Sequence, residues 1–461
     1  MNGATAPNDV LDLVDQAVFL GEEATGTTSV IQSVWTYDRG VDMAGLRRFH
    51  HHLLRGRLSR RIERSPLPFG RHRWVAPGAG SELVIAETPR PRPEFNQWLH
   101  EQAATPLDVV HGPGWRLAAL PFTDGGTGIS LVISHTLTDG GGLCLALADA
   151  TAGRDDEIVW PAARSRRWWR AMLADVRQFL HDVPSIGRAV GAAVRVVRAR
   201  QAATGTRAAQ RPRAAQRPRA AQRPSGADEP VTVPMATVAV DLDQWDACAR
   251  TVGATSNSLL VGVATRLAQR MGRVGADNTV DLSMPVNDRV DGDTRANAIT
   301  DVDFALQPPA DTTDLRGVRS DVKQALIRRQ DQPNARWALV PLVPLLPKWL
   351  LRRMLGVSVG SATSVVSSNL GDVDPAINRP DGTDADTFFM RTLAPGLTKA
   401  TVHRLGGMLV VLSGRVGRRI FVSVLSYELG QPNSDELLHD AVHATLADFA
   451  LTPMRSMRKT A

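Results

Sequence analysis

The apolar positions of the chain fall into two mixed blocks separated by a stretch of different character. In the first block, residues 10–19 repeat at helical spacing, 29–36 read as a strand, and 42–54 return to a helix with Leu46, Phe49 and Leu53 on one face. Residues 115–122 and 128–134 are apolar runs separated by the turn Thr123-Asp124-Gly125-Gly126, the pattern of an antiparallel hairpin. Past about residue 231 the alternation resumes. Strands are predicted over 236–242, 279–286, 298–307, 363–367, 387–392, 408–415 and 420–427. A helix is predicted over 259–271, with Ser256, Asn257 and Ser258 as N-cap candidates, and a closing helix over 434–451. The last two strands read as a hairpin across Val416-Gly417-Arg418-Arg419. Two mixed α/β halves follow from this pattern.

The middle differs. Trp168, Trp169, Met172, Leu173, Val176, Phe179 and Leu180 recur at helical spacing, and Ile186, Val190, Val194 and Val197 continue the stripe beyond Pro184, where a break is expected. Arg166, Arg167, Arg170 and Arg177 accompany it. Two readings stand open. One is a pair of surface helices packed by their apolar stripe on a core. The other is a basic amphipathic element meeting an anionic membrane surface through 164–200. Next, Arg-Ala-Ala-Gln-Arg-Pro occurs three times, at 207–212, 213–218 and 219–224. A six-residue repeat of this composition cannot bury a core and reads as a disordered, extended basic linker. The expected organisation is an N-terminal domain over 1–160, basic helices over 161–205, the linker over 206–230 and a C-terminal domain over 231–461.

Composition changes the picture in three ways. At 461 residues and 43% hydrophobic, the chain can bury two sizeable cores. No run approaches the roughly 18 uncharged apolar residues of a bilayer span, and the first residues lack the basic and apolar regions of a secretory signal. Cys144 and Cys248 are the only cysteines and lie far apart, which excludes a disulfide framework or a cysteine-rich metal site. Cytoplasmic residence is therefore expected, with peripheral contact at the inner membrane face as the variant the basic middle allows. Charge is unevenly placed. Residues 164–223 hold 15 Arg, no Lys and two acids, Asp175 and Asp182, so this segment exceeds the whole chain's net charge of +7 and the remainder is acidic on balance. A nucleic-acid-binding fold spreads basic residues over a folded face, so no nucleic-acid partner is expected. No metal is expected either. His50, His51 and His52 are consecutive on a helix and point in different directions.

The chemistry concentrates at His135-Thr136-Leu137-Thr138-Asp139-Gly140. This stretch ends an apolar run and precedes Gly141-Gly142 and an Ala/Leu-rich helix. A histidine held at a strand end with a carboxylate four residues on is the minimal kit for a positioned general base. The motif resembles the HxxxDG signature of the coenzyme A-dependent acyltransferase superfamily. That superfamily includes nonribosomal peptide condensation domains, polyketide-associated acyltransferases and bacterial wax ester synthase/diacylglycerol acyltransferases. Residues 106–117 are similar to the segment before the catalytic strand, and Met284-Pro285-Val286-Asn287-Asp288-Arg289, with Asn297 beyond, to the second-domain strand carrying an arginine. Val366-Ser367-Ser368-Asn369-Leu370-Gly371 is similar to the Ser-Asn-x-x-Gly segment, with its glycine one residue early. Residues 12–20 resemble the N-terminus of the wax ester synthase branch. Two positions depart from the pattern: Ser134 stands where a first histidine is usual, and Ala296 where a glycine often precedes the asparagine.

The resemblance implies two chloramphenicol-acetyltransferase-like domains in a V with a tunnel between them. It implies His135 as general base, removing a proton from an acceptor as that atom attacks a thioester carbonyl. Asp139 would be structural, turned away from His135 and paired with Arg289, and Gly140 would occupy a backbone position closed to larger residues. Ser134, Asn297, Ser368 and Asn369 would line the tunnel, with Ser368 and Asn369 also candidates for stabilising the oxyanion. No bound cofactor is implied. The co-substrate is acyl-coenzyme A or a phosphopantetheine-carried acyl group, the acceptor a hydroxyl or an amine. Two alternatives remain: a stand-alone condensation-type enzyme with an acyl- or peptidyl-carrier protein as donor, and a catalytically silent lipid- or carrier-binding protein of the same fold.

Overall fold

The computed structural model describes residues 8–78, 80–154, 158–209, 228–331, 337–352 and 364–454. The hexapeptide repeat from residue 210 on, and with it most of the expected linker, lies outside the described residues.

Strands β1 (Val30–Tyr37), β2 (Arg61–Glu63), β3 (Arg73–Val75), β4 (Leu83–Ile85), β5 (Trp115–Pro121) and β6 (Thr127–Ser134) belong to the first half. Strands β7 (Met235–Asp241), β8 (Val280–Asn287), β9 (Ile299–Leu306), β10 (Ser364–Asp372), β11 (Thr387–Leu393), β12 (Met408–Val416) and β13 (Arg419–Tyr427) belong to the second. One sheet runs β11-β1-β6-β5-β4 and the other β7-β13-β12-β10-β8-β9, with β2 and β3 as a separate ribbon. Both expected hairpins form: β5 pairs β6 from Trp115↔Ile133 to Pro121↔Thr127, and β12 pairs β13 from Met408↔Tyr427 to Val416↔Arg419.

The two halves are stitched rather than merely adjoining. β11, from the second half, pairs antiparallel with β1 and becomes the edge of the first sheet, with Val30 opposite Leu393 and Trp35 opposite Phe388. Met390 is thereby buried in the first core beside Trp35, Leu131 and Leu143. The second core is built from Trp245, Leu259, Leu282, Val411 and Val442.

Helices α1 (Leu13–Thr25), α2 (Met43–Leu53), α3 (Phe95–Ala104) and α4 (Gly140–Ala152) flank the first sheet. α6 (Leu242–Thr251), α7 (Ser256–Arg270), α8 (Arg316–Asp331) and a closing helix, Asp435–Asp448, belong to the second. The cap of α7 is Thr255, not one of the three expected residues. Its hydroxyl accepts from Ser258 N while Ser258 Oγ reaches back to Thr255 N, a complete capping box.

Between the halves in sequence lies α5 (Trp168–Ala209), which departs in two ways from one of the two readings, the pair of packed helices. First, it is one helix, with Pro184 inside it. A proline removes one i→i−4 hydrogen bond and strains a helix, yet the helix continues through it, with Asp182 and Ala189 on either side both buried against the body. Second, most of the apolar stripe does not pack on a core; of its residues, Phe179 packs on Phe69 with ring centroids 5.0 Å apart and Ile186 is half-buried. The buried seam is Ala171, Asp175, Asp182, Ala189 and Ala192, whereas Trp168 is 73% and Leu180 62% exposed.

Candidate active site

His135 follows the last residue of β6, the central strand of the first sheet, and its place is set from both halves. Its backbone N–H donates to Ser29 O at 2.8 Å, which continues the β1–β6 ladder by one step. Its ring is held by Asn297, from the loop before β9, with Nδ1 2.9 Å from Asn297 Oδ1. The tautomer follows from the amide. Asn297 Nδ2 donates to His135 O (3.1 Å) and to Asp15 Oδ1 (3.2 Å), both of which only accept. Asn297 Oδ1 must then face the ring, Nδ1 carries the proton, and Nε2 keeps a lone pair. An imidazole whose lone pair lies on Nε2, away from the nitrogen that Asn297 holds, is the form a general base requires.

Asp15 is the base of this arrangement. It lies on α1, fully buried, and accepts from the backbone N–H of Ala296 (2.9 Å) and of Asn297 (2.7 Å). Burial raises its carboxyl to about 6, against the pull of Arg60 and the two backbone donors. Arg60 crosses the same junction, donating to Leu137 O (2.9 Å) and Thr294 O (2.6 Å) and stacking 3.9 Å above the Trp74 ring. Burial lowers Arg60 to about 10, so it stays charged near neutrality. Asp15 and Arg60 were missed in the sequence. One signal existed: Asp15, Phe19 and Glu22 fall at i, i+4 and i+7, so two acids share the inward face of a helix with a buried phenylalanine.

Glu22 supports the neighbouring residue. It accepts from Thr136 Oγ1 (2.9 Å) and from Ser29 N (2.9 Å), and burial raises its carboxyl to about 7 against both hydrogen bonds. The sign follows from linkage. A folded-state value above the unfolded one means that the native protein binds the extra proton, so this group's contribution falls as pH rises from about 4.5 to about 7. Glu22→Gln, whose amide nitrogen can donate to Thr136 Oγ1, is expected to fold and to flatten that dependence. Urea unfolding midpoints between pH 4.5 and 8 measure it; parallel profiles for the two proteins would refute the assignment.

Asp139 faces away from His135. It caps α4, its Oδ1 accepting from Gly142 N at 2.6 Å. Its Oδ2 accepts from Ala298 N (2.7 Å) and from Arg289 Nη2 (2.9 Å). The two side chains are 2% and 5% exposed, so the pair is fully desolvated. Arg289 also donates to Arg295 O (2.8 Å) and Ala296 O (3.0 Å), tying the loop before β9 to the motif.

The remaining expected residues are distributed as follows. Ser134 is buried and its hydroxyl accepts from Thr136 N (3.2 Å), shaping the turn that presents His135. Asn297, a tunnel candidate, is 1% exposed and holds the ring of His135. Ser368 and Asn369 lie within β10, and the Asn369 amide is engaged with Asn257 Oδ1 (3.3 Å) and Gly371 N (2.9 Å). At Gly140 a Cβ would meet only the end of Leu370, 2.8 Å away. Gly142 is the more crowded glycine: a Cβ there would lie 2.6 Å from Thr138 Oγ1 and 2.9 Å from Arg289 Nη2. Gly142→Ala should therefore destabilise the protein by about 1–3 kcal/mol, as overpacking does, measurable by denaturant unfolding; Gly140→Ala should cost less. Cys144 packs against Met390, and burial raises its thiol to about 12, which leaves it a poor nucleophile.

No family model and no curated protein matches this chain in sequence. Solved structures do match in shape. The first condensation domain of the calcium-dependent antibiotic synthetase, in complex with a substrate analogue, superposes with a TM-score of 0.58 at 15% identity over 98% of each chain. A variant of the starter condensation domain of rhizomide synthetase in complex with C8-CoA gives 0.52 at 13% identity, over 98% of this chain and 97% of that one. The wax ester synthase/diacylglycerol acyltransferase from Marinobacter aquaeolei gives 0.53 at 14% identity, over 95% of this chain and 98% of that one. With its two sheets and the strand exchanged between them, the chain has the fold shared by these condensation domains and this wax ester synthase/diacylglycerol acyltransferase.

Proposed function

We propose that the protein is an acyltransferase that moves an acyl group from a thioester donor, acyl-coenzyme A in the first instance, to a hydroxyl or amine acceptor, with His135 as general base. The observation that carries this reading is the orientation of the Asn297 amide, which leaves the lone pair of His135 on Nε2. In the proposed step Nε2 takes the proton of the acceptor as its oxygen or nitrogen attacks the thioester carbonyl. The tetrahedral oxyanion collapses, the carbon–sulfur bond breaks, and the imidazolium returns the proton to the leaving thiolate. No acyl-enzyme forms, and positioning both substrates in a tunnel at the junction supplies much of the acceleration. Ser368, on β10, is our candidate for lining the acyl path.

One fold relative lends support to an acyl-coenzyme A donor by its bound C8-CoA, and another supports acyl transfer by its named activity. A second reading, weighed because condensation domains stand among the fold relatives, has a carrier protein deliver the acyl group on phosphopantetheine. The same proposal places the protein in the cytoplasm, with peripheral membrane contact through 164–200; among the described residues no helix is long and apolar enough to cross a membrane. The deciding assay is thiol release from a panel of acyl-coenzyme A donors with pooled alcohols and amines. Acceptor-dependent release supports the first reading. Silence with coenzyme A donors but turnover with acyl-carrier donors transfers it to the second, and silence with both, despite tight donor binding, to a binding protein.

A further inference from the structure

Helix α5 is amphipathic inside out. Its inward residues recur every seven positions, Asp175, Asp182 and Ala189 on one line and Ala171, Gln178, Ser185 and Ala192 on the other, the spacing of a helix docked along a narrow seam. That seam is small and polar. Asp175 accepts from Ser65 Oγ (2.5 Å) and pairs with Arg73 (3.5 Å); Asp182 pairs with Arg71 (3.4 Å). Both acids of the arginine-rich segment are thus used inward, against arginines of the first half. The outward face carries Trp168, Trp169, Leu173, Val176, Leu180 and Val190, each 41% or more exposed. On an α-helix these positions fall within one arc of about 140°. Exposed Arg170, Arg177 and Arg188 lie along one margin of the arc, with no acid beside them. Monomeric soluble proteins rarely leave so long a run of large apolar side chains in water.

We propose that the outer face of α5 is a docking surface for an anionic lipid bilayer, lying in the plane of the interface with Trp168 and Trp169 at one end. This gives the membrane contact named above a specific surface and residues, and it does not depend on the acyltransferase reading. The charge pattern selects the occupant. An apolar arc bordered by arginines matches a surface that offers acyl chains below anionic headgroups, whereas a second copy of this chain docked antiparallel across a two-fold axis would set the same arginine rows against each other. Arginine guanidinium beside tryptophan, as in Arg170 5.0 Å from the Trp169 ring, suits the headgroup level.

The test is flotation of the full chain with phosphatidylcholine vesicles, with and without phosphatidylglycerol. Binding is expected to vesicles containing the anionic lipid and to weaken as salt rises. Leu173→Glu/Leu180→Glu, both on the exposed face, should leave the fold and thermal midpoint intact and weaken vesicle binding by roughly tenfold or more, since two leucines lose their burial. Undiminished binding by this variant would assign attachment to arginines elsewhere in the segment and overturn the proposal. So would failure of the native chain to bind, or a native dimer in analytical ultracentrifugation that the variant breaks, which would make the face a contact between copies. None of these readouts uses turnover, so their failure is separate from failure of the acyl-transfer assay.

Discussion

His135→Ala is expected to lower kcat/KM for acceptor-dependent thiol release by about 10²–10⁴, the usual worth of a positioned general base. The site explains why the loss should fall on the chemistry rather than on folding. The contacts that place this turn are mostly backbone ones, from His135 N to Ser29 O and from Asn297 Nδ2 to His135 O, and both survive the substitution. Only the bond from Nδ1 to Asn297 Oδ1 is lost, and the ring is partly exposed, so water can replace it. Donor binding, measured by titration calorimetry, should change little. Full activity in His135→Ala would remove the residue from the mechanism.

The second large effect concerns Asp139, and it should appear as instability. Asp139→Asn is expected to destabilise the protein by about 3–5 kcal/mol, the range for breaking a buried ion pair by removing one partner. An asparagine can still cap α4 through Oδ1. Its Nδ2, however, would face Ala298 N and Arg289 Nη2, three donors with no acceptor among them, and the desolvated guanidinium would lose its counter-charge. The loop that carries Asn297 hangs on the same pair, so activity should fall too, in parallel with the loss of folded protein. Denaturant unfolding alongside kcat separates the possibilities. Native stability with lost turnover would make Asp139 a partner of His135 in catalysis, contrary to the geometry.

Much of the fold was legible in local pattern. The β5–β6 and β12–β13 hairpins show as short turns between apolar runs, and α2 and α4 show as apolar periodicity behind Asp42 and Asp139. Short elements such as β2, β3 and β4 were not legible, because three residues are too few to display a period. In the candidate site, the motif pointed to His135 and the resemblance to Asp139 with Arg289. Asp15 and Glu22 went unread because a buried acid on a short helix looks like an exposed one until its partners, Asn297 and Ser29, are known.

By itself, the sequence determined what is written in periodicity and composition: mixed α/β halves, an apolar and basic middle, two isolated cysteines, and one histidine held at a strand end ahead of a glycine turn. Only the tertiary structure decided which surfaces meet. It moved β11 into the other half's sheet, set Asn297 against His135 from 162 residues away, and turned most of the apolar stripe of α5 outward while its acids face in. The reason is physical. Period reports that a helix has two faces, but the face that is buried is chosen by the partners available, and here those partners were Arg71 and Arg73.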